Sequence, residues 1–264
     1  MLDVVDLTPK IGSEVKIDKA TLLAGTHGRE IRELLTRRGV VVVRDIPVSD
    51  DEQRAIAESL GELRSDSVRK EVMTKVEHFP GTFFWHMDGT YEEFPPLATM
   101  LSPRVLSKQG GQTEFANTYA AFEDLPEDKC ERLIPLRVLH TMQASLFHAY
   151  PEATLSDIEH WLTFPNRTHP LVWQHTSGRR SLVLSSSAAH VIGMDVARSR
   201  ELIDELLAHV TSQSYVYRHE WRMGDIVMWD NTGTMHRVRP YPADCGRELH
   251  RFTLVGQEPI AAVA

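Results

Sequence analysis

Short apolar segments recur from residue 97 to the end of the chain, and their length limits the fold more than any other feature. Each holds about four to seven residues and is bounded by Gly, Pro, Asn or Ser, which is typical of β-strands joined by turns. The segments are Leu97–Leu101, Arg137–Met142, Leu171–Gln174, Ser181–Leu184, Tyr215–Trp221, Asp225–Trp229 and Leu249–Val255. This rhythm predicts a β-sandwich or a β-barrel.

Other patterns predict helices added to this β core. Apolar residues around Leu34 have helical spacing and end at Gly39, and Val40–Val43 then forms a run that is too short and too β-branched for a helix. Ser49–Glu52 is a capping box that opens a second helix. A third helix over Leu202–Val210 has one apolar face, and we expect it to cover the outside of a sheet.

Composition limits the number of domains and the kinds of partner. The chain has 264 residues, of which 42% are hydrophobic and 25% charged, and no linker divides it, so we expect a single domain over residues 1–264. A formal charge of −8 disfavours nucleic acid as a partner for this chain. A small-molecule ligand is expected instead, and a homo-oligomer is compatible with the sequence.

The cysteine count and the apolar runs predict a location. Cys130 and Cys245 are too few for a disulfide framework and lack a Cys-x-x-Cys partner for zinc, which fits a reducing cytoplasm. The N-terminus lacks the features of a signal peptide, and no run approaches the roughly 18 apolar residues of a membrane span. We therefore expect a cytoplasmic protein without a membrane association.

His86-Met87-Asp88 is the first candidate metal motif. In an extended segment, residues i and i+2 project to the same face, so His86 and Asp88 can occupy adjacent positions on one metal. His236, after a strand-like run, is the candidate for a third ligand, since ferrous oxygenases use two His and one carboxylate. Ordinary hydrogen-bonded histidines are the alternative, because about one His-x-Asp pair is expected by chance in such a sequence.

Two arginines after this histidine indicate an anion site. Arg247 and Arg251 are four residues apart, so on a strand they share a face. Two guanidinium groups in one pocket repel each other unless each meets an anion, and bidentate pairing of arginine with carboxylate is a favourable way to hold a dianionic acid. The alternative is a pair of exposed surface arginines, which the flanking Leu249 and Phe252 disfavour.

Several motifs together resemble one enzyme family. They are Trp85–Asp88, the Gly110–Thr113 turn, Trp229–Asn231, His236 and the pair Arg247 and Arg251, in that order. Their order and spacing resemble the taurine dioxygenase/2,4-dichlorophenoxyacetate dioxygenase (TauD/TfdA) family of Fe(II)- and 2-oxoglutarate-dependent oxygenases, from about residue 40 to residue 259. The resemblance implies a mainly β fold with flanking helices, built on a double-stranded β-helix or jelly-roll core, in agreement with the strand pattern.

The resemblance also implies roles for individual residues. His86, Asp88 and His236 match the iron ligands of the family, and Thr113 and Arg247 match the pair that holds the distal carboxylate of 2-oxoglutarate. Arg251 matches its anion-binding residue on the substrate side. The implied cofactors are Fe(II), 2-oxoglutarate as co-substrate and O2, and no side chain beyond the metal ligands is expected to be catalytic. The implied reaction hydroxylates a small, partly apolar organic anion, or cleaves it by hydroxylation, and releases succinate and CO2.

The substrate is the least constrained part of this interpretation. Taurine-oxidising members have a histidine shortly after a Gly-Glu-Leu turn, but here Gly61–Leu63 continues with Arg64–Asp66, so taurine is not expected. Four side chains are candidates for an apolar substrate pocket, with core packing as the alternative: His78, Phe83, Phe84 and Tyr91. If Arg251 has no anion in the resting protein, burial of its charge is costly, and the substrate should bring a carboxylate or a similar anion.

Two other functions fit parts of the sequence. One is a metal-dependent, cupin-like β-sandwich enzyme that does not use 2-oxoglutarate, and the other is a non-catalytic binding protein on the same scaffold. The Thr113 and Arg247 pair disfavours the first, because such an enzyme needs no dicarboxylate site. The complete set of metal-ligating residues disfavours the second.

Overall fold

The structure is a computed structural model that describes residues 2–65, 69–72 and 80–263. The strands in these residues are β1 Asp3–Asp6, β2 Ser13–Lys16, β3 Val40–Val43, β4 Arg69–Val72, β5 Ala98–Val105, β6 Thr113–Asn117, β7 Arg137–His140, β8 Arg167–Pro170, β9 Val172–Gln174, β10 Arg180–Leu182, β11 Ala188–Val191, β12 Val216–His219, β13 Ile226–Asp230, β14 Thr234–Val238 and β15 Glu248–Thr253. The α-helices are α1 Lys19–Leu23, α2 Gly28–Arg38, α3 Asp50–Leu60, α4 Thr118–Glu123, α5 Glu127–Leu133, α6 Met142–Ala149, α7 Leu155–Trp161 and α8 Val196–Val210. Every helix among the described residues is too short or too polar to cross a lipid bilayer.

The largest sheet has seven strands in the order β1-β2-β3-β13-β5-β15-β4. Its neighbouring strands are antiparallel except β2 and β3, which are parallel. Within β3, Val40 and Val42 belong to one hydrophobic cluster while Val41 and Val43 belong to another. Because alternate residues of a strand face opposite sides, both faces of this sheet are buried, which explains a strand made only of valine.

Different layers cover the two faces of the large sheet. On one face, Leu34 of α2 and Ile56 of α3 share a cluster with Val41. On the other face, Phe115 of β6 and Tyr217 of β12 share a cluster with Val42. The second face is therefore covered by the three-stranded sheet β12-β6-β14, and the two sheets form a sandwich with a core between them.

The outer side of this smaller sheet carries a further layer. Ala116, which follows Phe115 in β6 and so faces the opposite side, shares a cluster with Ile203 and Leu206 of α8. The prediction that this helix covers the outside of a sheet is confirmed. The remaining described strands form the sheet β11-β7-β8 and the hairpin of β9 and β10.

Capping residues determine where a helix begins at one predicted site and where a strand ends at another. The capping box is confirmed, since Ser49 Oγ accepts from the Glu52 backbone N–H at 3.2 Å and the Glu52 carboxylate accepts from the Ser49 N–H at 2.8 Å. The predicted strand over Arg137–Met142 is too long. It ends at His140, because the Thr141 hydroxyl accepts from the Ala144 N–H at 3.1 Å and caps helix α6.

Candidate active site

His86 and His236 are brought together by a short stretch of backbone pairing. The His86 N–H donates to the His236 carbonyl at 3.0 Å, and the His236 N–H donates to the His86 carbonyl at 2.8 Å. Antiparallel residues that exchange both hydrogen bonds lie opposite each other with side chains on one face. The two imidazole rings therefore lie side by side, with their centroids 4.2 Å apart.

Asp88 completes a cluster of three possible metal ligands. One ligand atom from each of His86, Asp88 and His236 lies within 4.8 Å of the others. Asp88 Oδ1 is 3.7 Å from His86 Nε2 and 3.8 Å from His236 Nε2. The Asn231 side chain fixes the Asp88 backbone, because its Oδ1 accepts from the Asp88 N–H at 3.2 Å and its Nδ2 donates to the Asp88 carbonyl at 3.0 Å.

Hydrogen bonding and burial prepare these groups to bind a cation. His86 Nδ1 is 2.8 Å from the Phe84 carbonyl, which can only accept, so Nδ1 carries the proton and Nε2 keeps a lone pair. Burial, followed by the neighbouring His86 ring, lowers the pKa of His236 well below its usual value. Burial opposes ionisation of Asp88, but the Arg251 guanidinium and then the two imidazoles hold the pKa of this carboxyl well below its usual range.

The donor set fits ferrous iron. Two neutral imidazoles and one ionised carboxylate that converge on one point are the protein ligands of the non-haem Fe(II) oxygenases. His236 Nδ1 is buried and has no hydrogen-bond partner among the described residues, unlike Nδ1 of His86.

Arg247 is a buried cation at the edge of the same sandwich. Its side chain is only 2% exposed, and its Nη2 donates to the Gly111 carbonyl at 3.1 Å while Nη1 donates to the Tyr241 hydroxyl at 3.4 Å. The guanidinium also lies over the Tyr241 ring, 4.7 Å from its centroid. It has no carboxylate partner in the part of the chain that the structure describes.

Gly111 makes room for this arginine. Its φ of +78° is in the left-handed region, and a Cβ added there would come within 3.0 Å of Arg247 Nε. Glycine is therefore required both by the backbone conformation and by the close approach of the guanidinium.

Thr113 faces the interior of the sandwich on the same side as the histidines. It is 1% exposed and is paired with Val238 in the β6–β14 register, while Phe115 is paired with His236. Two residues opposite each other on paired strands share one face of the sheet, and so do residues i and i+2 of one strand. Thr113 and His236 are therefore diagonal neighbours on the interior face.

Arg251 contacts a metal-ligand candidate directly. Its Nη2 donates to Asp88 Oδ2 and, at 3.4 Å, to Thr99 Oγ1, while its Nε donates to Thr253 Oγ1 at 3.2 Å. The expectation that this guanidinium has no anion in the resting protein is wrong, because the Asp88 carboxylate lies beside it. The two oxygens of Asp88 thus have different neighbours, with Oδ1 nearest the imidazoles and Oδ2 at Arg251.

A cavity of about 420 Å³ adjoins two of the three ligand candidates, His86 and Asp88. His86, Asp88 and Arg251 line one part of it. Other lining side chains are apolar, and these are Met87, Tyr91, Pro96, Met142, Leu146, Tyr150 and Pro165. The remaining polar lining residues are Arg64, Thr82, Thr90, Glu92, His140, Thr141, Ser145, Ser185, Ser187 and Thr253. The cavity is therefore of mixed character, with a charged end beside the metal-ligand cluster.

The predicted aromatic residues have different positions. Tyr91 lines the cavity. Phe83 packs edge-on against the Tyr241 ring at a centroid distance of 6.1 Å, and Phe84 lies 5.5 Å from the His148 ring, and neither is among the described cavity residues. His78 lies outside the described residues.

Comparison with known proteins identifies the family of this chain. Residues 3–253 match the family described as taurine catabolism dioxygenase TauD, TfdA family. The chain belongs to this family. It is 34% identical over 268 residues to the alpha-ketoglutarate-dependent 2,4-dichlorophenoxyacetate dioxygenase of Cupriavidus pinatubonensis, with 90% of this chain and 91% of the relative covered. It is 30% identical over 280 residues to the alpha-ketoglutarate-dependent sulfate ester dioxygenase of Pseudomonas putida, with 98% of this chain and 91% of the relative covered.

Solved structures of the TauD/TfdA type have the same fold. The crystal structure of AAD-2 in complex with Mn(II) and N-oxalylglycine superimposes with a TM-score of 0.87 at 30% identity, covering 99% of this chain and all of that chain. A putative alpha-ketoglutarate-dependent 2,4-D dioxygenase from Burkholderia xenovorans gives a TM-score of 0.81 at 30% identity, with 97% of both chains covered. The mainly β fold with flanking helices and a jelly-roll core is confirmed.

The predicted enzyme class is confirmed with the family. This TauD/TfdA chain is a 2-oxoglutarate-dependent non-haem iron dioxygenase that uses Fe(II), 2-oxoglutarate and O2. The cupin-like enzyme without 2-oxoglutarate and the non-catalytic binding protein are not favoured by these relatives.

Sequence reasoning missed a polar cluster in the cavity wall of this TauD/TfdA chain. His140, which is 2% exposed, has Nδ1 at 2.9 Å from Ser187 Oγ, and Ser187 Oγ is 3.0 Å from Thr90 Oγ1. Burial, and then the neighbouring His169, lowers the pKa of His140 to about 3. His140 was one of thirteen histidines and lay in an ordinary strand pattern, so no local signal marked it.

Proposed function

We propose that His86, Asp88 and His236 bind the Fe(II) of this dioxygenase, and that Arg247 and Thr113 bind the distal carboxylate of 2-oxoglutarate. The observation that carries this proposal is the convergence of two imidazole Nε2 atoms on one carboxylate oxygen beside a cavity. The buried guanidinium of Arg247, without a carboxylate partner among the described residues, supports the oxoacid site.

The side chains of this chain bind and orient the metal, the oxoacid and the substrate, while the cofactors supply the oxidation. Bound Fe(II) with 2-oxoglutarate and O2 provides hydroxylating power, and the oxoacid leaves as succinate and CO2. The hydrogen bond of His86 Nδ1 to the Phe84 carbonyl keeps Nε2 turned to the metal position. Arg247 and Thr113 fix one end of the oxoacid, and a substrate that fills the cavity displaces water from it. No side chain outside the metal ligands is given a catalytic role.

We infer that the substrate is a small, partly apolar organic anion bound in the 420 Å³ cavity. Arg251 lines that cavity and provides a cation for the anionic group, while the same guanidinium supports Asp88. Met142, Leu146 and Tyr150, together with the predicted Tyr91, offer apolar surface for the rest of the molecule.

The named relatives support an anionic substrate. Their names specify 2,4-dichlorophenoxyacetate, phenoxypropionate and sulfate esters, each of which combines an anionic group with an organic part. Hydroxylation of a carbon that bears an ether or ester oxygen gives a product that collapses with cleavage, so one site can serve both outcomes. Phe83, Phe84 and His78 stay predictions as substrate-side residues.

We also infer that residues 1–264 act as one dioxygenase domain, which the family match over residues 3–253 supports. Cys130 and Cys245 are both free thiols in the structure, in keeping with the predicted cytoplasmic location. The homo-oligomer considered from the sequence stays a prediction.

The metal site is tested by removing one ligand at a time. His86→Ala, Asp88→Ala and His236→Ala should each abolish Fe(II) binding and succinate formation and leave a folded protein, because each removes one of three protein ligands. Metal analysis and circular dichroism measure the two effects. His27→Ala is the matched control, because it removes an imidazole whose one side-chain partner among the described residues is Glu30 on α2. Full turnover in any of the three ligand variants contradicts the assignment.

The substrate class is tested with matched pairs of compounds. Each pair is an apolar carboxylic acid and its amide, screened by succinate formation, and the acid should be preferred across the panel. Arg251→Ala should reduce turnover of the acids more than that of the amides, since only the acids meet the guanidinium as ions. Equal loss for both members of each pair places the substrate anion elsewhere.

A further inference from the structure

The Thr113 hydroxyl has one hydrogen-bond partner among the described residues, and that partner is an indole. Trp221 Nε1 lies 3.0 Å from Thr113 Oγ1. An indole N–H can only donate, whereas a hydroxyl has one O–H donor and two acceptor lone pairs. The direction of this bond is therefore fixed: Trp221 donates, and Thr113 accepts.

This bond leaves the proton of Thr113 for another partner. The hydroxyl cannot donate back to the indole, and no second hydrogen bond of Thr113 Oγ1 exists in the part of the chain that the structure describes. Thr113 is 1% exposed, so bulk water does not supply an acceptor at low cost. A buried O–H donor in this state is ready for a ligand that only accepts, such as a carboxylate.

Arg247 approaches the same end of β6. Its Nη2 donates to the carbonyl of Gly111, which precedes Thr113 by two residues. Thr113 itself is a diagonal neighbour of His236 on the interior face. A dicarboxylate that reaches from the metal-ligand cluster to Arg247 would therefore meet the Thr113 hydroxyl.

The indole is held by a buried network behind it. Trp221 packs edge-on against His219, with ring centroids 4.5 Å apart, and His219 is the register partner of Thr113 in the β12–β6 pair. His219 is fixed in turn by Asp225, whose Oδ2 is 3.0 Å from Nε2, and by the Tyr217 hydroxyl at 2.9 Å from Nδ1. These contacts keep the indole N–H aimed at the hydroxyl.

We propose that Trp221 is a positioning residue for 2-oxoglutarate: its N–H occupies a lone pair of Thr113 and so directs the Thr113 O–H to the distal carboxylate held by Arg247. Trp221 acts through Thr113 and does not touch the oxoacid itself. The proposal rests on the oxoacid site of the proposed function.

The test compares 2-oxoglutarate binding in wild-type protein and in Trp221→Phe. Titration calorimetry with Mn(II)-loaded protein in the absence of O2 measures affinity without turnover. Trp221→Phe keeps an aromatic ring but removes the N–H, and the dissociation constant should rise about three- to tenfold, the range expected for loss of one oriented neutral hydrogen bond. In a Thr113→Val background the same substitution should have no further effect.

A shorter oxoacid and a second tryptophan provide controls. 2-Oxobutanoate has no distal carboxylate, so wild-type protein and Trp221→Phe should bind it equally. Trp173→Phe removes a buried indole whose N–H has no partner among the described residues, and it should leave 2-oxoglutarate affinity unchanged.

The outcomes separate this inference from the proposed function. Equal 2-oxoglutarate affinity in wild type and Trp221→Phe, or additive losses in the Thr113→Val background, overturns the role of Trp221 and leaves the oxoacid site intact. Failure of wild-type protein to bind 2-oxoglutarate overturns the oxoacid site itself. If Trp221→Phe does not fold, the indole N–H of wild-type Trp221 is followed by NMR: it should stay protected from exchange when 2-oxoglutarate binds, and loss of protection overturns the proposal.

Discussion

Replacing Arg247 with methionine should have opposite consequences for the free protein and for the complex with 2-oxoglutarate. In the free protein the guanidinium is 2% exposed, and among the described residues it donates to the Gly111 carbonyl and the Tyr241 hydroxyl and lies over the Tyr241 ring. Methionine loses these two hydrogen bonds, each worth about 1.5–3 kcal/mol because the donor is charged, but it also removes a charge without a carboxylate partner among the described residues, whose burial costs several kcal/mol. The free energy of unfolding without ligand should therefore change by no more than about 1 kcal/mol.

The complex should lose far more. A hydrogen bond to a charged group contributes about 1.5–3 kcal/mol, so a bidentate contact between Arg247 and a carboxylate contributes about 3–6 kcal/mol. The dissociation constant of 2-oxoglutarate should then rise by about two to four orders of magnitude. Thr113→Val removes a single hydrogen bond to the same carboxylate, about 1.5–3 kcal/mol, so the dissociation constant should rise only about ten- to hundredfold.

Two measurements check this prediction. Urea denaturation without ligand gives the stability of each variant, and calorimetric titration with 2-oxoglutarate gives its affinity. Arg104→Met is the matched control, because Arg104 donates to the Asp50 carboxylate at 2.9 Å and should not affect the oxoacid. An Arg247→Met protein that binds 2-oxoglutarate within threefold of wild type, or that loses several kcal/mol of stability without ligand, would refute the reasoning.

Two further predictions concern neighbouring features. Gly111→Ala should lower the free energy of unfolding by about 1 kcal/mol or more and should also weaken 2-oxoglutarate binding. The reasons are that Gly111 has φ +78° and that an added Cβ would lie 3.0 Å from Arg247 Nε. Unchanged values in both assays would contradict the need for glycine. Burial lowers the pKa of His140 to about 3 in the folded protein. Between about pH 6.5 and pH 3 the His140 imidazole is therefore protonated in the unfolded chain but neutral in the folded protein, so the free energy of unfolding falls as the pH falls through that window. His140→Gln should flatten the dependence of unfolding free energy on pH there by up to about 1.4 kcal/mol per pH unit, and equal slopes in denaturation at several pH values would exclude the effect.

The parts of the site that could be predicted from the sequence are those that depend on local geometry. His86 and Asp88 share a face because they are two residues apart in an extended segment, and their ligand atoms do lie together. Strands β5, β12, β13 and β15 each overlap a predicted segment, because apolar runs bounded by turn residues are a local signal. The exact ends differ, and β5 continues beyond its predicted segment to Val105. The order of the motifs also sufficed to recognise the family.

The parts that could not be predicted depend on contacts between distant segments. Strand β14 was not among the predicted segments. The backbone pairing of His86 with His236 has no local signature, because it joins residues far apart in the chain. The cluster of Thr90, His140 and Ser187 comes from three separate segments in the same way. Nothing in the residues around Phe83 indicated that its ring would pack on Tyr241.

The contact between Arg251 and Asp88 determines how a test of the substrate must be interpreted. Asp88 Oδ2 meets Arg251 while Oδ1 lies 3.7 Å from His86 Nε2, so the guanidinium helps to hold the carboxylate as well as to line the cavity. Removing Arg251 should therefore weaken metal binding, which lowers turnover of every substrate by the same factor, and should also weaken anion binding, which lowers turnover of acids alone. The ratio of acid to amide turnover cancels the first effect, because both compounds use the same metal. Only the change in that ratio on Arg251→Ala therefore measures whether the guanidinium meets the substrate.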